Sequence, residues 1–305
     1  MDGGPDGTGA GASIGLVGLG VMGSAIAGLL LRDGAAVRGY DIAAERMDRF
    51  RAAGGQAARS PADAAAGCAV VLTSLPSAAA FHEVVSGPQG LAAAGGPRLV
   101  VEMSTLSLAD KVRGKQALGA VGACLVDAPL SGTGAQAVTG DLVAFVSADD
   151  PSARTAAAAT LARFTRAQYD VGAFGNGSKF KYVANLLVAV HNVAAAEAIV
   201  LAERSGLDLA LVLEAVADGA GSSRMLQVRG PLMAAGTYDD PSVRLAVFLK
   251  DLDLISEFAG AVGAPAPLLA ASRRIYDEAL AEGRSGQDTA CVAEILRHEP
   301  GKAPR

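Results

Sequence analysis

The stretch that decides the fold is residues 13–41, SIGLVGLGVMGSAIAGLLLRDGAAVRGYD. It reads as a short apolar strand, a glycine turn that opens a helix, and a second apolar strand that ends in an acid. Gly18, Gly20 and Gly23 are spaced as GxGxxG, and Asp41 follows the last glycine by 18 residues. This spacing between a strand and a helix is typical of a turn that binds a dinucleotide.

Each residue of the turn has a predicted task. Gly18 permits the tight bend, Gly20 lets the backbone approach a pyrophosphate, and Gly23 lets the helix pack closely on the strand. Val21 and Met22 begin the helix, whose N-terminal N–H groups and dipole favour an anion. A tight turn without a ligand is the alternative, but the strand, the helix and the acid all agree with the dinucleotide interpretation.

The acid at the end of the second strand bears on the choice of cofactor. Asp41 would accept hydrogen bonds from the adenosine ribose and repel a 2'-phosphate, which favours NAD over NADP. Arg46, five residues later, pulls in the opposite direction. The cofactor is therefore predicted to be NAD, with NADP possible.

Further apolar runs bounded by turn signals continue the alternation of strands and helices. They are CAVVLTSLP, PRLVVEMST, ACLVDAPLSG and DLVAFVSAD. Together they predict a parallel, doubly wound sheet with ligands at the carboxyl ends of its strands. Leu75 and Pro76, Ser104 and Thr105, and residues 131–134 all follow such strands. They are candidates for the cofactor crevice, although any one of them alone could be an ordinary loop.

After about residue 173 the periodicity becomes helical. A long helix over residues 175–206 is followed by SGLDLALVLEAVADG, VRLAVFLKDLDLISEFAGAVG and LLAASRRIYDEALAEG. Gly206, Gly263 and Gly283 lie where helix C-caps are expected. The predicted class is α/β: a Rossmann-like doubly wound sheet, then an all-helical domain begun by a long connecting helix. The predicted divisions are a disordered tail (1–12), a dinucleotide-binding domain (13–173) and a helical substrate and dimerisation domain (174–305).

The long helix carries a polar stripe among apolar residues. Because each residue advances about 100° around the axis, Ser178, Asn185 and Asn192 fall within about 60° of Lys181. Lys179 lies about 160° away. A solvent-facing stripe is one interpretation, but amides and one amine that line a cavity fit the apolar surroundings better. Lys181, rather than Lys179, is therefore the candidate for chemistry.

Length and charge bear on the number of domains and on one class of partner. The chain has 305 residues, 51% of them hydrophobic, and a formal charge of -5. This length favours two domains. The charge leaves no basic footprint, which argues against a nucleic-acid partner.

The cysteines and the N-terminus bear on location. Cys68, Cys124 and Cys291 stand far apart, with no CxxC and no histidine at metal-ligand spacing, so no metal site is predicted. Such cysteines fit a reducing compartment. The first dozen residues are too polar for a signal peptide, and no apolar run is expected to reach the length of a membrane span. A cytoplasmic protein without a membrane partner is predicted.

Four motifs in order, covering nearly the whole chain, resemble the 3-hydroxyacid dehydrogenase family, the group that contains 3-hydroxyisobutyrate dehydrogenase. They are GLVGLGVMGSAIA, DAPLSGTGAQAVTGDL, GNGSKFKYVAN and FLKDLDL. The resemblance implies reversible hydride transfer between NAD(P) and a small 3-hydroxy acid or semialdehyde. It also implies a homodimer or homotetramer.

The resemblance assigns residues to the substrate. Lys181 matches the catalytic lysine, a general acid and base, and Asn185 matches an asparagine beside the substrate. Ser131 and Gly132 match the start of a loop that holds the substrate carboxylate. On this assignment the N–H groups of Gly132 and Thr133 would act together with the Ser131 hydroxyl.

The resemblance also assigns residues to the cofactor. Leu75, Pro76 and Thr105 match cofactor contacts, and Lys250 matches a lysine at the nicotinamide end. Without the resemblance, Lys250 and Asp251 would be interpreted as a charged surface pair on an amphipathic helix.

The chain departs from the family at several positions. Thr133 and Gln136 stand where glycines are usual, Ala184 replaces an asparagine, and Ala80 replaces a polar cofactor contact. These departures leave the substrate open. The alternatives are an imine reductase-like NADPH-dependent enzyme, which usually lacks the helix lysine, and a non-catalytic NAD-binding protein.

Overall fold

The computed structural model describes residues 13–93 and 98–298. The predicted disordered tail, residues 1–12, lies outside the described residues. The chain divides into two compact units between Lys181 and Tyr182. The sequence placed this boundary after residue 173, in the loop before the long helix, whereas the helix itself crosses the division.

The parallel sheet of the first unit consists of β1 (Ile14–Val17), β2 (Val37–Tyr40), β3 (Gln56–Ala57), β4 (Val70–Thr73), β5 (Leu99–Glu102) and β6 (Cys124–Asp127). Among the described residues these six strands lie in the order β3-β2-β1-β4-β5-β6. The register sets Val17 beside Thr73, Thr73 beside Glu102, and Glu102 beside Asp127. The carboxyl ends of four strands therefore form one row.

Helices cover both faces of this sheet. They are α1 (Val21–Arg32), α2 (Ala44–Ala52), α3 (Pro61–Ala65), α4 (Ala78–Ser86), α5 (Leu108–Gly119), α6 (Gly134–Thr139) and α7 (Pro151–Leu161). Successive strand residues enter opposite apolar clusters, as in β5, where Leu99 and Val101 lie in one and Val100 in the other. A strand buried on both faces is what a doubly wound sheet requires, so the predicted fold class is confirmed.

A second sheet contains β7 (Leu130–Ser131), β8 (Val143–Val146) and β9 (Ala167–Asp170), with β7 antiparallel and β9 parallel to β8. The strand predicted in DLVAFVSAD is β8, but it lies in this sheet rather than in the parallel one. The cause is the link from β6 to β7. Only Ala128 and Pro129 separate these strands, which is too short for a parallel crossover, and proline cannot donate to a ladder.

The second unit is helical in its described part, apart from an isolated bridge between Arg244 and Asp288. Its elements are α8 (Asn176–Arg204), which begins in the first unit, α9 (Leu209–Ala217), α10 (Arg224–Ala235), α11 (Leu245–Ala261), α12 (Pro267–Ala281), a 3-10 turn (Thr289–Cys291) and α13 (Val292–Arg297). Gly206, Gly263 and Gly283 have φ of 72°, 69° and 82°. These left-handed conformations confirm the three predicted C-caps. Helix α10 was not predicted.

Candidate active site

The glycine turn between β1 and α1 is shaped by close backbone contact. Gly18 has φ of +92°, and a Cβ atom there would lie 2.2 Å from the carbonyl oxygen of Ser74. A Cβ at Gly23 would lie 1.9 Å from the carbonyl oxygen of Gly18. A Cβ at Gly20, the N-cap of α1, would meet nothing within 4 Å. The turn thus combines two positions closed to any side chain with one open position in front of a helix N-terminus, a geometry that fits a pyrophosphate.

The two residues after Gly20 differ in their surroundings. Val21 is 73% exposed, whereas Met22 is partly buried and packs against the core of the sheet. Met22 therefore has a packing role in addition to its predicted place beside the cofactor.

Asp41 is largely buried and is bonded within the protein. Its Oδ2 accepts from the N–H of Leu19 at 2.8 Å, and its Oδ1 accepts from the N–H of Ala43 at 2.8 Å. Nη1 of Arg46 lies 3.2 Å from Oδ2. Arg46 and Asp41 therefore pair with each other, and the carboxylate also fastens the glycine turn to β2. A carboxylate has about four acceptor positions, and Nη1 of Arg46 also lies 3.5 Å from Oδ1. A ribose hydroxyl would therefore take the place of Arg46 at this carboxylate.

The loops after β4 and β5 are tied together by Ser104, one of the residues that the sequence named as candidates for the cofactor crevice. The N–H of Leu75 donates to Oγ of Ser104 at 2.7 Å, and the N–H of Ser104 donates to Oε1 of Glu102 at 2.6 Å. The hydroxyl of Thr73 donates to Oε2 of Glu102. Leu75 and Pro76 thus stand next to the loop that continues into Thr105, as expected for two loops at one edge of the sheet.

Glu102 itself is fully buried. Burial raises the pKa of its carboxyl above the ordinary value, against the lowering effects of the Lys111 charge and of the hydrogen bonds from Ser104 and Thr73. A carboxyl group with a raised pKa therefore lies beneath the predicted cofactor loops.

The loop after β7 is a capped helix start. Gly132 has φ of +145°, and a Cβ there would lie 2.5 Å from Cδ2 of Leu142. Thr133 and Gln136 form a capping box at the start of α6. The N–H of Thr133 donates to Oε1 of Gln136 at 3.0 Å, and the N–H of Gln136 donates to Oγ1 of Thr133 at 3.3 Å. The Thr133 N–H, predicted to help hold a carboxylate, therefore donates within the loop. The two departures from family glycines act as a pair.

The first turn of α8 is fastened to the ends of β6 and β8. A Cβ at Gly177 would lie 2.5 Å from the carbonyl oxygen of Phe145 and 2.7 Å from that of Asp127. The N–H of Ser178 donates to Oδ2 of Asp127 at 2.8 Å. This contact puts the start of the predicted catalytic helix directly against the strand that leads to Ser131.

The polar stripe on α8 is buried. Ser178, Lys181, Asn185 and Asn192 are 2%, 8%, 5% and 0% exposed. Lys179 is exposed, and its Nζ lies 3.1 Å from Oδ1 of Asn176. The interpretation of a solvent-facing stripe is therefore wrong, and the angular argument separated the buried lysine from the exposed one.

Asn185 has a partner that the sequence did not assign to it. Its amide nitrogen donates to Oδ2 of Asp251 on α11 at 2.9 Å. Oδ1 of Asp251 lies 3.2 Å from Nζ of Lys250, and the side chains of Lys250 and Asp251 are 34% and 13% exposed. Asp251 is thus not half of an ordinary surface pair, because its carboxylate joins α11 to the stripe on α8.

Asn192 has a structural role instead of a place in the predicted cavity wall. Its amide nitrogen donates to Oη of Tyr276 and to the carbonyl oxygen of Thr289, both at 2.9 Å. The Tyr276 hydroxyl donates to the carbonyl oxygen of Ala189 at 3.1 Å. These fully buried bonds hold α8, α12 and the 3-10 turn together. The wall interpretation is therefore wrong for Asn192.

Helix α8 is long and apolar enough to cross a membrane, with a mean hydropathy of 1.7 in its most apolar window. The prediction that no apolar run reaches this length is wrong in that respect. In that window 44% of the residues are buried. Polar side chains such as Lys181 and Asn185 are costly within lipid, so the stripe fits a helix that packs inside a protein.

Comparisons with known proteins cover the same two parts of the chain. Residues 13–172 match the family described as the NAD binding domain of 6-phosphogluconate dehydrogenase. Residues 175–296 match the family described as NAD-binding of NADP-dependent 3-hydroxyisobutyrate dehydrogenase.

Individual relatives match over almost their full lengths. The chain is 35% identical over 295 residues to an L-threonate dehydrogenase of Cupriavidus necator, covering 95% of this chain and 99% of the relative. A solved structure described as 3-hydroxyisobutyrate dehydrogenase from Salmonella typhimurium is 30% identical, with a TM-score of 0.83 and coverage of 93% and 100%. An imine reductase of Streptomyces aurantiacus is 20% identical, with a TM-score of 0.63 and coverage of 94% and 100%. The last likeness shows a shared fold alone.

Proposed function

The chain belongs to the 3-hydroxyacid dehydrogenase family, and on that premise we propose that it oxidises a small 3-hydroxy acid, or reduces the matching semialdehyde, with Lys181 as general acid and base. As a family member it is an NAD(P)-dependent oxidoreductase that acts on a CH–OH group. The relative's substrate, L-threonate, supports a hydroxy acid as the substrate class.

One observation carries the proposal for Lys181. It is the lysine of the buried stripe, 8% exposed, and it follows Ser178 by one turn of α8. Ser178 is bonded to Asp127, and only three residues separate Asp127 from Ser131. The proposed proton carrier and the proposed substrate loop thus depend on the same strand end.

The reaction is a paired transfer of a hydride and a proton. A bound nicotinamide supplies the hydride chemistry. In oxidation Nζ of Lys181 takes the proton of the hydroxyl whose carbon gives up the hydride, and in reduction its ammonium returns a proton to the developing alkoxide oxygen. The glycine turn would hold the pyrophosphate, since Gly20 leaves its approach open.

Substrate binding is assigned to the loop after β7. The Ser131 hydroxyl and the N–H of Gly132 would hold the carboxylate, and the Thr133 N–H could join them only if its bond to Gln136 opened. Asn185, one turn beyond Lys181, would orient the reacting oxygen without adding charge, with its own amide fixed by Asp251. Leu75, Pro76, Thr105 and Lys250 stay predicted cofactor contacts.

The decisive experiment compares Lys181→Ala with Lys179→Ala. A lysine general base contributes at least about a hundredfold, so Lys181→Ala should lower kcat by that factor or more while NADH binding, measured by fluorescence titration, stays within about twofold. Lys179→Ala, two residues away on the exposed side, should leave kcat unchanged. A Lys181→Ala enzyme that kept more than about a tenth of the wild-type rate would contradict the proposed role.

The substrate class is tested with both NADH and NADPH. The panel contains small semialdehydes, keto acids and cyclic imines, and consumption of the reduced cofactor is followed. Turnover of a carboxylate-bearing semialdehyde supports the proposal. Turnover of cyclic imines alone would indicate the imine reductase alternative, and binding without turnover of any substrate would indicate a non-catalytic NAD-binding protein.

Assembly and location are also proposals. Phe180, Val183, Leu187 and Leu201 on α8 are 50%, 61%, 47% and 69% exposed. Three of them are separated by multiples of seven, which sets them on one side of the helix. We propose that a second copy of the chain covers this edge in a cytoplasmic homodimer or homotetramer. Light scattering that showed a monomer of 30.4 kDa would contradict the assembly, and cell fractionation would test the location.

A further inference from the structure

A group of four buried polar residues holds the first turn of α8. This anchor cluster consists of Lys111 on α5, Asp127 at the end of β6, Ser147 directly after β8, and Ser178 in the first turn of α8. The first three are 0% exposed and Ser178 is 2% exposed. The family assignments above give none of them a function.

The carboxylate of Asp127 is the centre of the anchor cluster. Its Oδ1 lies 2.6 Å from Nζ of Lys111 and 2.9 Å from Oγ of Ser178. Its Oδ2 accepts from the N–H of Ser178 at 2.8 Å and lies 3.2 Å from Oγ of Ser147. Each oxygen therefore lies within hydrogen-bonding distance of two donors, and the single Ser147 proton is shared between Oδ2 and the backbone carbonyl oxygen of Asp127 at 3.1 Å.

Two backbone N–H groups of the α8 first turn end in this cluster. Ser178 donates to Asp127, and Gly177 donates to Oγ of Ser147 at 2.9 Å. The first turn of a helix has no partners for its N–H groups within the helix. Here the partners come from β6 and from the residue after β8, so the start of α8 is fixed to strand ends. The loop before the helix contributes as well, since the Asn176 amide nitrogen donates to the carbonyl oxygen of Val171 at 2.8 Å.

The anchor cluster fixes both the position and the rotation of the first turn of α8 relative to the strand ends. A side chain at Gly177 would clash with the carbonyl oxygens of Phe145 and Asp127, so the close approach of the helix to the strand ends requires glycine. The hydrogen bonds oppose withdrawal and rotation of the helix. A buried ion pair is a poor source of net stability, because both charges lose their hydration. Fixing one geometry explains the Lys111–Asp127 pair better than stability does.

We propose that the anchor cluster positions Lys181. By fixing the first turn of α8, the cluster sets the distance and the angle at which the Lys181 amine meets the reacting oxygen. The proposal rests on the proposed role of Lys181. Lys181 follows Ser178 by three residues, so a shift of the first turn moves its amine as well. A displacement of about 1 Å in a catalytic group can cost on the order of a hundredfold in rate.

The test is a double-mutant cycle of Ser178→Ala and Lys181→Ala. Ser178→Ala removes one bond to Asp127 and leaves the backbone bond, so the enzyme should still fold. We expect a roughly tenfold loss of kcat with the Kd for NADH within about twofold of wild type. In the Lys181→Ala background, the same Ser178→Ala change should alter the residual rate by less than about twofold. If Ser178 acts only by positioning the Lys181 amine, its loss has no further effect once that amine is gone.

Two controls separate positioning from folding. Ser178→Thr keeps the hydroxyl and should recover most of the rate, whereas Ser178→Val, of nearly the same shape, should not. Ser205→Ala lies beyond the other end of α8, where the hydroxyl donates to Leu201, and it should leave kcat unchanged. If Ser178→Ala lowered thermal stability, comparison of Thr with Val at this position would still isolate the hydroxyl.

The outcomes are distinct. Equal rate losses from Ser178→Ala in both backgrounds would overturn the positioning role and leave lysine catalysis standing. Equal rates for Ser178→Thr and Ser178→Val would also overturn it. Full activity of Lys181→Ala alone would overturn both this inference and the proposed function.

Discussion

The cofactor turn and the start of α8 are both rigid parts of the first unit, but different means hold them. The turn is held by backbone against backbone, since Gly18 and Gly23 leave no space for a Cβ. The helix start is held by buried side chains, with Asp127 accepting from Lys111 and Ser178. Gly18 and Gly23 are only five positions apart in the sequence, whereas the residues at 111, 127 and 178 are far apart. The first device is therefore visible as spacing, and the second becomes visible only in three dimensions.

The largest expected effect comes from breaking the backbone device. Gly23→Ala places a Cβ 1.9 Å from the carbonyl oxygen of Gly18, so the backbone must move. Overpacking of this kind costs up to about 3 kcal/mol, and NADH should bind about a hundredfold more weakly. Fluorescence titration with NADH and thermal unfolding measure both consequences.

Gly20→Ala is the matched control. The added Cβ meets no protein atom within 4 Å, so the melting temperature should not change. NADH binding should still weaken about tenfold, because the methyl group lies where the pyrophosphate is predicted to approach. Wild-type affinity in Gly20→Ala would show that the pyrophosphate does not approach this position.

A smaller effect is expected from the substrate loop. This loop combines a glycine that leaves no space for a Cβ, Gly132, with side-chain hydrogen bonds in the capping box. Gln136→Ala removes the acceptor for the Thr133 N–H and one half of the capping box. Loss of a cap costs about 1 kcal/mol, which corresponds to about a fivefold change in an equilibrium. Because a carboxylate would no longer have to open this bond to reach the Thr133 N–H, the KM for an acidic substrate should fall by about that factor while kcat changes little. Thr139→Ala, at the other end of α6, leaves the capping box intact and serves as the control. An unchanged KM in Gln136→Ala would mean that the bond between Thr133 and Gln136 does not oppose substrate binding.

The smallest expected effect is on the pH dependence of stability, and it comes from the buried carboxyl group of Glu102. Because burial raises the pKa of Glu102 above its ordinary value of 4.5, the folded state holds this proton more tightly than the unfolded state does. The stability contributed by Glu102 is therefore fully present below pH 4.5 and is lost as the pH rises through the folded-state pKa. Glu102→Gln keeps an acceptor for Ser104 and does not titrate.

Thermal unfolding of both proteins from pH 4 upward measures this difference. The melting temperature of the wild type should fall relative to that of Glu102→Gln as the pH increases above about 4.5. A difference that stayed constant with pH would contradict the raised pKa.

The parts of the molecule that sequence could predict have short-range signals. The glycine spacing, the apolar strands and the three C-cap glycines are local patterns, and the angular position of Lys181 follows from helix geometry alone. The stripe also shows the limit of such arguments, because the angular count grouped Asn192 with Lys181 as residues of one cavity wall. Asn192 lies at a similar angle but bonds to Tyr276 and Thr289 in the helical core.

The missed features depend on contacts that no local pattern records. Asp251 could be paired with Lys250 from sequence, but its bond to Asn185 joins residues 66 apart. Strand β9, AQYD, is short and has little apolar content, so it gave no strand signal. Helix α10 contains Pro231, which argues against a helix when the sequence is considered alone.

The capping box between Thr133 and Gln136 has a consequence for inheritance. Each residue satisfies the other, so replacing either one alone leaves a half-made cap at the mouth of the substrate loop. A lineage that moves between this loop and one with glycine at both positions must pass through that intermediate. In a family tree the two positions should therefore change together, so that Thr133 and Gln136 are inherited as one unit.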